Sequence, residues 1–436
     1  MAVLARLLIQ VFFSGVEVEH GERLRTDRPT VLVADHRNGL VDGLLLMAAL
    51  PRYPRFLGKS TLFRHPLLWP FLQLGGVVPV HRTQDGGSPD GNRQAFDRCH
   101  RLLERRALVA VFPEGISHDQ PSLQAMRTGA ARIALSAAAA GVPDVETVAA
   151  TLVYDDKQRF RSRALVRVGV PRPAHAWMEA YRNDSQRAVR SLTDDLAGRL
   201  RHEGNEYRSW AEASELEAIA DAVARPATAL PVRVPLIERQ RAVDALVAAG
   251  RVPECRAALQ SLHEAYDSYR RLLDLVGLTD AQVAADYGSG RLRWDLARAV
   301  ARVVLALPFA VVGLAVHAVP YAVVKVAGSV PDNLGMRATV KLLGSFFLFA
   351  ATYVGVGIVV GSVFGAGFGV AAAVAAPMCG SVAVRLIERL HRIGGARAGY
   401  HLARRDGPMA DLLRSRRAAV VDAGGGVIDR TGPPGP

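Results

Sequence analysis

Residues 342–384 form a run of 43 positions without a single Asp, Glu, Lys or Arg. One membrane span needs about 20 apolar residues, so the run accommodates two crossings that turn in the glycine-rich stretch 361–369. Lys341 and Arg385 flank it, and the excess of basic residues on the cytoplasmic side of membrane segments assigns both ends to the cytoplasm. A buried soluble helical core is the competing reading, and 43 uncharged residues make it the weaker one. A shorter uncharged stretch, 303–324, precedes it and contains Pro308, His317 and Pro320. Those three residues leave a span, a re-entrant piece and a surface-lying helix all open.

The 436-residue chain is long enough for two or three cores. Its formal charge is +13, and only four of its 54 basic residues are lysine: Lys59, Lys157, Lys325 and Lys341. The excess is arginine dispersed over the whole length, which favours anionic partners such as phosphate headgroups. No basic run alternates with aromatics, so nucleic acid is not an expected partner. Cys99, Cys255 and Cys379 lie far apart, a pattern that fits neither a disulfide framework nor a zinc site. The twelve histidines show no metal-ligand spacing. The apolar stretch 3–13 is short and interrupted by Arg6, as expected of a helix at a membrane interface or packed on the domain.

Up to about residue 205, strand-like and helix-like segments alternate. Strands are expected at 30–34, 76–80, 107–112, 147–153 and 164–168, and helices at 41–49, 92–105 and 123–140. That alternation predicts an α/β fold of layers, with ligand groups gathered at strand ends. Residues 206–300 lack strand signals and read as a helical connector. Residues 301–390 hold the membrane-associated helices, and 391–436, rich in Arg, Gly and Pro, reads as a disordered basic tail.

Chemistry concentrates at the ends of the expected strands. His36 and Asp42 are six residues apart, about 240° around one ideal helix, so they share no face there. A turn at Asn38-Gly39 would let them meet, with Asp42 orienting one imidazole nitrogen and leaving the other as a base. Taken alone, that spacing is as well explained by a solvated loop. The run Gly75 to Arg82 closes a strand with an arginine suited to holding a phosphate, although the chain has 50 arginines. Phe112-Pro113-Glu114-Gly115-Ile116-Ser117 ends another strand with a carboxylate and a glycine that would let backbone N–H groups approach a ligand. Arg161 and Arg163 follow a further strand and are candidates for phosphate or coenzyme contacts, with an ordinary basic hairpin as the plain alternative.

In this order, His36…Asp42, Gly75 to Arg82, Phe112-Pro113-Glu114-Gly115 and Leu152-Val153-Tyr154 make the chain resemble the glycerolipid acyltransferase family over roughly residues 1–200. The longer yeast-type glycerol-3-phosphate acyltransferases are the most similar subgroup. The resemblance implies that His36 is the catalytic base and Asp42 its orienter. It implies Arg82 as a glycerol-phosphate ligand and Glu114, Gly115 and Ser117 as part of the acceptor site, with Arg161 and Arg163 as added substrate contacts. Three departures stand out. Five residues rather than the commoner four separate His36 from Asp42, Asp35 replaces the usual Asn before the histidine, and Ile116 replaces the usual Thr after Gly115.

The expected reaction moves an acyl group from a thioester of coenzyme A or acyl carrier protein to a hydroxyl of glycerol 3-phosphate or its 1-acyl derivative. The thioester is a co-substrate; no cofactor and no metal are expected. The bilayer is the expected partner, with the catalytic domain on the cytoplasmic side. Two rivals are a lipid hydrolase, for which no Gly-x-Ser-x-Gly elbow is present, and a non-catalytic membrane scaffold.

Overall fold

The computed structural model describes residues 1–64, 68–80, 89–157, 159–228, 231–287, 291–331, 334–405 and 407–431. The chain divides into two compact units. The first comprises Met1–Arg208 with Ala327–Leu343, the second Ser209–Val326 with Gly344–Pro436.

Unit 1 is a mixed α/β layer structure. Its helices are α1 (Ala2–Phe12), α2 (Leu40–Ala49), α3 (Trp69–Leu74), α4 (Pro89–Glu104), α5 (Gly129–Ala139), α6 (Met178–Asn183) and α7 (Ser185–Gly204). Its strands are β1 (Phe13–Glu19), β2 (Thr30–Ala34), β3 (Pro54–Lys59), β4 (Val78–Val80), β5 (Leu108–Val111), β6 (Glu146–Tyr154), β7 (Ser162–Val168) and β8 (Arg172–Pro173). They form one eight-stranded sheet in the order β1-β7-β6-β2-β5-β3-β4, with β8 paired to β6. Strands β6, β2, β5, β3 and β4 run parallel, and β7 is antiparallel to β6.

Central β2 is apolar on both sides, as a strand covered by two helical layers must be. Leu32 and Ala34 enter the core beneath α1 and α2, while Val31 and Val33 enter the core beneath α4, α5 and α7. Helix α7 shows the matching signal, with Ala188, Leu192, Leu196 and Leu200 buried at i, i+4 spacing. Its N-cap Asp184 accepts the Arg187 N–H at 3.0 Å, which satisfies one open donor of the first turn.

Three strands go beyond the sequence expectation: β1, β3 and the two-residue β8. β1 breaks its alternation with Gly15 and ends in Glu19, and β3 opens on Pro54 and contains Gly58; both are weak strand signals. Glu19 is nevertheless buried, held by Arg167 Nε at 2.8 Å across the β1–β7 pair.

The rest of the described chain is helical: α8 (Trp210–Ala224), α9 (Leu236–Gly250), α10 (Arg256–Val276), α11 (Asp280–Val283), α12 (Arg291–Ala327), α13 (Leu334–Phe364), α14 (Ala366–Arg405) and α15 (Gly407–Thr431), of which all but the Ala327–Leu343 portion lies in unit 2. Segments Ala297–Ala327, Thr339–Phe364 and Ala366–Leu402 are each long and apolar enough to cross a membrane. The hairpin of α13 and α14 turns at Gly365, whose φ of +98° suits glycine.

Within 391–436, expected to be a disordered basic tail, the described residues are helical. Residues up to Arg405 continue α14, and α15 packs on α8, α9 and α10. Ala410, Leu413, Val420 and Val427 are buried at three- and seven-residue steps, an apolar stripe masked by the surrounding Arg and Gly. Asp280 fixes this packing by accepting Arg225 Nε at 2.6 Å, Arg417 Nε at 2.9 Å and Tyr269 Oη at 3.0 Å.

We expect Arg417→Ala to cost roughly 2 kcal/mol, and Asp280→Ala more because it strands two half-buried guanidinium groups. Thermal denaturation of the full chain in detergent checks the order, and limited proteolysis should newly cut near Gly407. Equal melting midpoints for the two variants would remove Asp280 as the hub.

Candidate active site

Because β6, β2 and β5 are adjacent and parallel, their C-terminal ends open on one edge of the sheet, where open α/β sheets place their ligands. The loop after β2 carries Asp35, His36 and Asn38. The turn after β5 carries Phe112 to His118, and β6 runs on past the end of β2 to Tyr154.

The chain reverses at Asn38-Gly39 as the spacing required, with Gly39 at φ +57° before α2. Asp42 lies in the first turn of α2, its side chain fully buried. Its Oδ2 accepts His36 Nδ1–H at 2.9 Å and the Asn38 N–H at 2.7 Å, and its Oδ1 accepts the Tyr154 hydroxyl at 2.5 Å. An ionised carboxylate only accepts, so the proton of the neutral imidazole is on Nδ1 and Nε2 keeps its lone pair. The His36 ring stacks on Phe112, centroids 4.2 Å apart, and its side chain is 19% exposed. Burial and the neighbouring Asp42 push the Tyr154 phenol well above its ordinary range, so it remains a donor at all working pH values.

Glu114 is a second buried carboxylate. It accepts the His36 N–H at 3.0 Å and the Gln124 N–H at 2.8 Å, and it pairs with His118 Nε2. Its side chain has no exposed surface. Both oxygens of Glu114 are engaged in tying the β5 turn to the His36 loop. Ser117 does similar work, its Oγ accepting the Gly39 N–H at 3.0 Å. Gly115 has φ +71°, and a Cβ there would meet Arg127 Nε at 2.7 Å. Its own N–H donates to Phe112 O at 3.1 Å.

The two arginines after β6 are also engaged with protein. Arg161 Nη1 donates to Gln10 O and Phe13 O, both at 3.0 Å, fastening the α1–β1 junction. Arg163 holds Asp155 through two bonds of 2.6 and 3.2 Å. Arg82 lies outside the described residues.

Sequence reasoning missed Asn38, His118 and Tyr154 as partners of the pair. Tyr154 had one signal, the last position of an apolar strand parallel to the one preceding His36. Asp35 is buried as well, accepting the Leu152 N–H at 2.8 Å and facing Arg37 Nε at 3.0 Å. Desolvation pushes its carboxyl up to about 6, against the attraction of Arg37.

Residues 15–149 match the family model for acyltransferases. Over 199 residues the chain is 30% identical to glycerol-3-phosphate O-acyltransferase 2 of Saccharomyces cerevisiae, covering 44% of this chain and 26% of that protein. It is 26% identical over 164 residues to the chloroplastic 1-acyl-sn-glycerol-3-phosphate acyltransferase LPAT1 of Arabidopsis thaliana, covering 37% and 44% respectively. The chain thus spans less than half the length of either relative. Among solved structures, the 1-acyl-sn-glycerophosphate acyltransferase PlsC of Thermotoga maritima is similar over 48% of this chain and 80% of its own. Its sequence identity is 16% and its TM-score 0.34, a level that adds nothing to the sheet order above. Residues 15–149 are thus similar to the acyltransferase family, and the named relatives are glycerol-3-phosphate and 1-acylglycerol-3-phosphate acyltransferases.

Two outcomes follow from the site. Asp35 binds its proton more tightly in the folded chain than in the unfolded one, so stability falls as pH rises from about 4 to 6 and levels off above. The loss is roughly 3 kcal/mol. Asp35→Asn keeps an acceptor for Leu152, and melting curves across that window should be flat for the variant and sloped for the parent. Tyr154→Phe removes one donor from Asp42 while keeping the ring stacked on Phe13. It should lower turnover roughly tenfold with substrate KM values unchanged. Unaltered turnover would show the phenol to be mere packing.

Proposed function

We propose that this protein transfers a fatty acyl group from an acyl thioester to a hydroxyl of glycerol 3-phosphate or 1-acylglycerol 3-phosphate, at a membrane surface. The observation that carries the reading is the orientation of His36. Its Nδ1–H is held by a buried carboxylate, and no protein group bonds Nε2 among the described residues.

In that reaction His36 Nε2 takes the proton of the acceptor hydroxyl while the oxygen attacks the thioester carbonyl. Asp42 opposes the positive charge that develops on the ring. Collapse of the tetrahedral intermediate expels the thiolate, which recovers the proton from His36 and leaves as the thiol. The alcohol is itself the nucleophile, so no acyl-enzyme forms. Arg82, next after the β4 strand end and His81, supplies a cation for the acceptor phosphate. Lys341 and Arg385, at the ends of the uncharged run, favour a cytoplasmic position for the catalytic domain.

Membranes containing the full chain, given labelled acyl-CoA with each acceptor in turn, should form a labelled acyl ester. His36→Ala should reduce that product at least a hundredfold while leaving expression and membrane association intact. Free fatty acid without an acylated acceptor would identify a hydrolase instead. A parent chain that forms neither product would point to a scaffold.

A further inference from the structure

Between Arg302 and Lys325, α12 carries 22 uncharged residues, about 33 Å of straight helix and enough for one crossing. Its packing describes a different path. On one arm, Val303, Ala306 and Ala310 pack with Val382, Ala383 and Leu386 of α14. On the other arm, Val324 lies against Gly344 of α13; a Cβ there would be 3.7 Å away. Leu386 and Gly344 both belong to the charged end of the α13–α14 hairpin, beside Arg385 and Lys341. Only the middle of α12 reaches deeper. His317 Nε2 meets the Tyr353 hydroxyl at 2.9 Å, and the ring fits against Gly380, which has no Cβ to block it. Tyr353 is still eleven residues short of Phe364, at the hairpin turn. Pro308 and Pro320, inside α12 on either side of His317, are where a helix bends.

The ends of the segment agree with this path. Just after α12, Thr339 Oγ1 accepts the Leu40 N–H at 3.4 Å and Leu342 is buried in the core under α2, both within unit 1. Residues 327–343 therefore lie on the catalytic side of the bilayer. Just before α12, Gln282 donates to Gly395 O at 2.8 Å, and Arg417 donates to Ala222 O at 3.0 Å. The connector and the returning end of the chain thus share a side, which demands an even number of crossings. Three spans would violate both constraints.

We infer that α13 and α14 cross the bilayer as a pair, and that α12 is a re-entrant helix that dips into the leaflet on the catalytic side and returns. Its occupant is the acyl region of that single leaflet, met by exposed Leu305, Phe309, Val312, Leu314 and Val319. The inference rests on packing and connectivity and is independent of the proposed reaction.

The test is cysteine labelling of the full chain in sealed vesicles with a membrane-impermeant maleimide. Signal is counted above the parent, whose Cys99 and Cys255 are buried. Single variants Glu104→Cys, Ser329→Cys, Ser362→Cys and Ser415→Cys report the domain, the α12–α13 link, the hairpin turn and α15. Glu104, Ser329 and Ser415 should label from one face and Ser362 from the other alone. Ser329 labelling from the face of Ser362 would make α12 a true span and overturn the inference. Ser415 labelling opposite to Glu104, or all four labelling from one face, would overturn it equally.

Discussion

Three donors converge on one buried carboxylate, and the site is built around that fact. Asp42 has no exposed side-chain surface, and an ionised group in such a place persists only when its lone pairs are met. The donors come from the His36 ring, the Asn38 backbone and the Tyr154 hydroxyl, that is, from the loop after β2 and the end of β6. Strand register thereby becomes chemistry, because only parallel β2 and β6 deliver both groups to the first turn of α2. Glu114 repeats the device from the β5 side, holding the backbone of the residue whose ring Asp42 orients. His36 is gripped at its main chain by one carboxylate and at its ring by another.

That architecture explains which parts of the molecule could be read in advance. The α/β alternation was legible because β2, β5 and β6 are buried on both faces and read as apolar runs. β1 and β3 were not, since glycine, proline and glutamate within them weaken the strand signal while tertiary pairing supplies what propensity lacks. His36 and Asp42 were legible as a pair because a turn at Asn38-Gly39 is a local property. The role of Glu114 was not, since its partners are 78 residues upstream and 4 and 10 residues downstream, and only the folded sheet selects them. Arg161 and Arg163 show a related limit: that Arg161 binds the α1–β1 junction and Arg163 pairs with Asp155 is set by the fold and not by their spacing.

Asp35, in the loop after β2, and Asp42, in the first turn of α2 seven residues on, make an instructive contrast, both being buried. Asp42 has three hydrogen-bond donors. Asp35 has one backbone N–H and a guanidinium, and it also feels the like charges of Asp42 and Glu114. Desolvation wins at Asp35, and the loop that positions the histidine is held at neutral pH by a carboxylate at some cost in stability. Such local expense beside a reactive group is common where geometry is selected over stability.

Covalent continuity ties this loop to the apolar C-terminal segment. Leu342 is the first residue of the uncharged run and is also part of the core under α2, while Thr339, three residues earlier, accepts the first free N–H of α2. At 1.5 Å per residue, about 5 Å of helix separates the contact to the Asp42-bearing turn from the start of the hydrophobic segment. In the proposed reaction, this short link would keep the loop that carries the base connected, through the Thr339 contact, to the segment proposed to enter the membrane. Were the substrate an acyl lipid, as proposed, a tail left in apolar surroundings would expose little apolar surface to water during transfer.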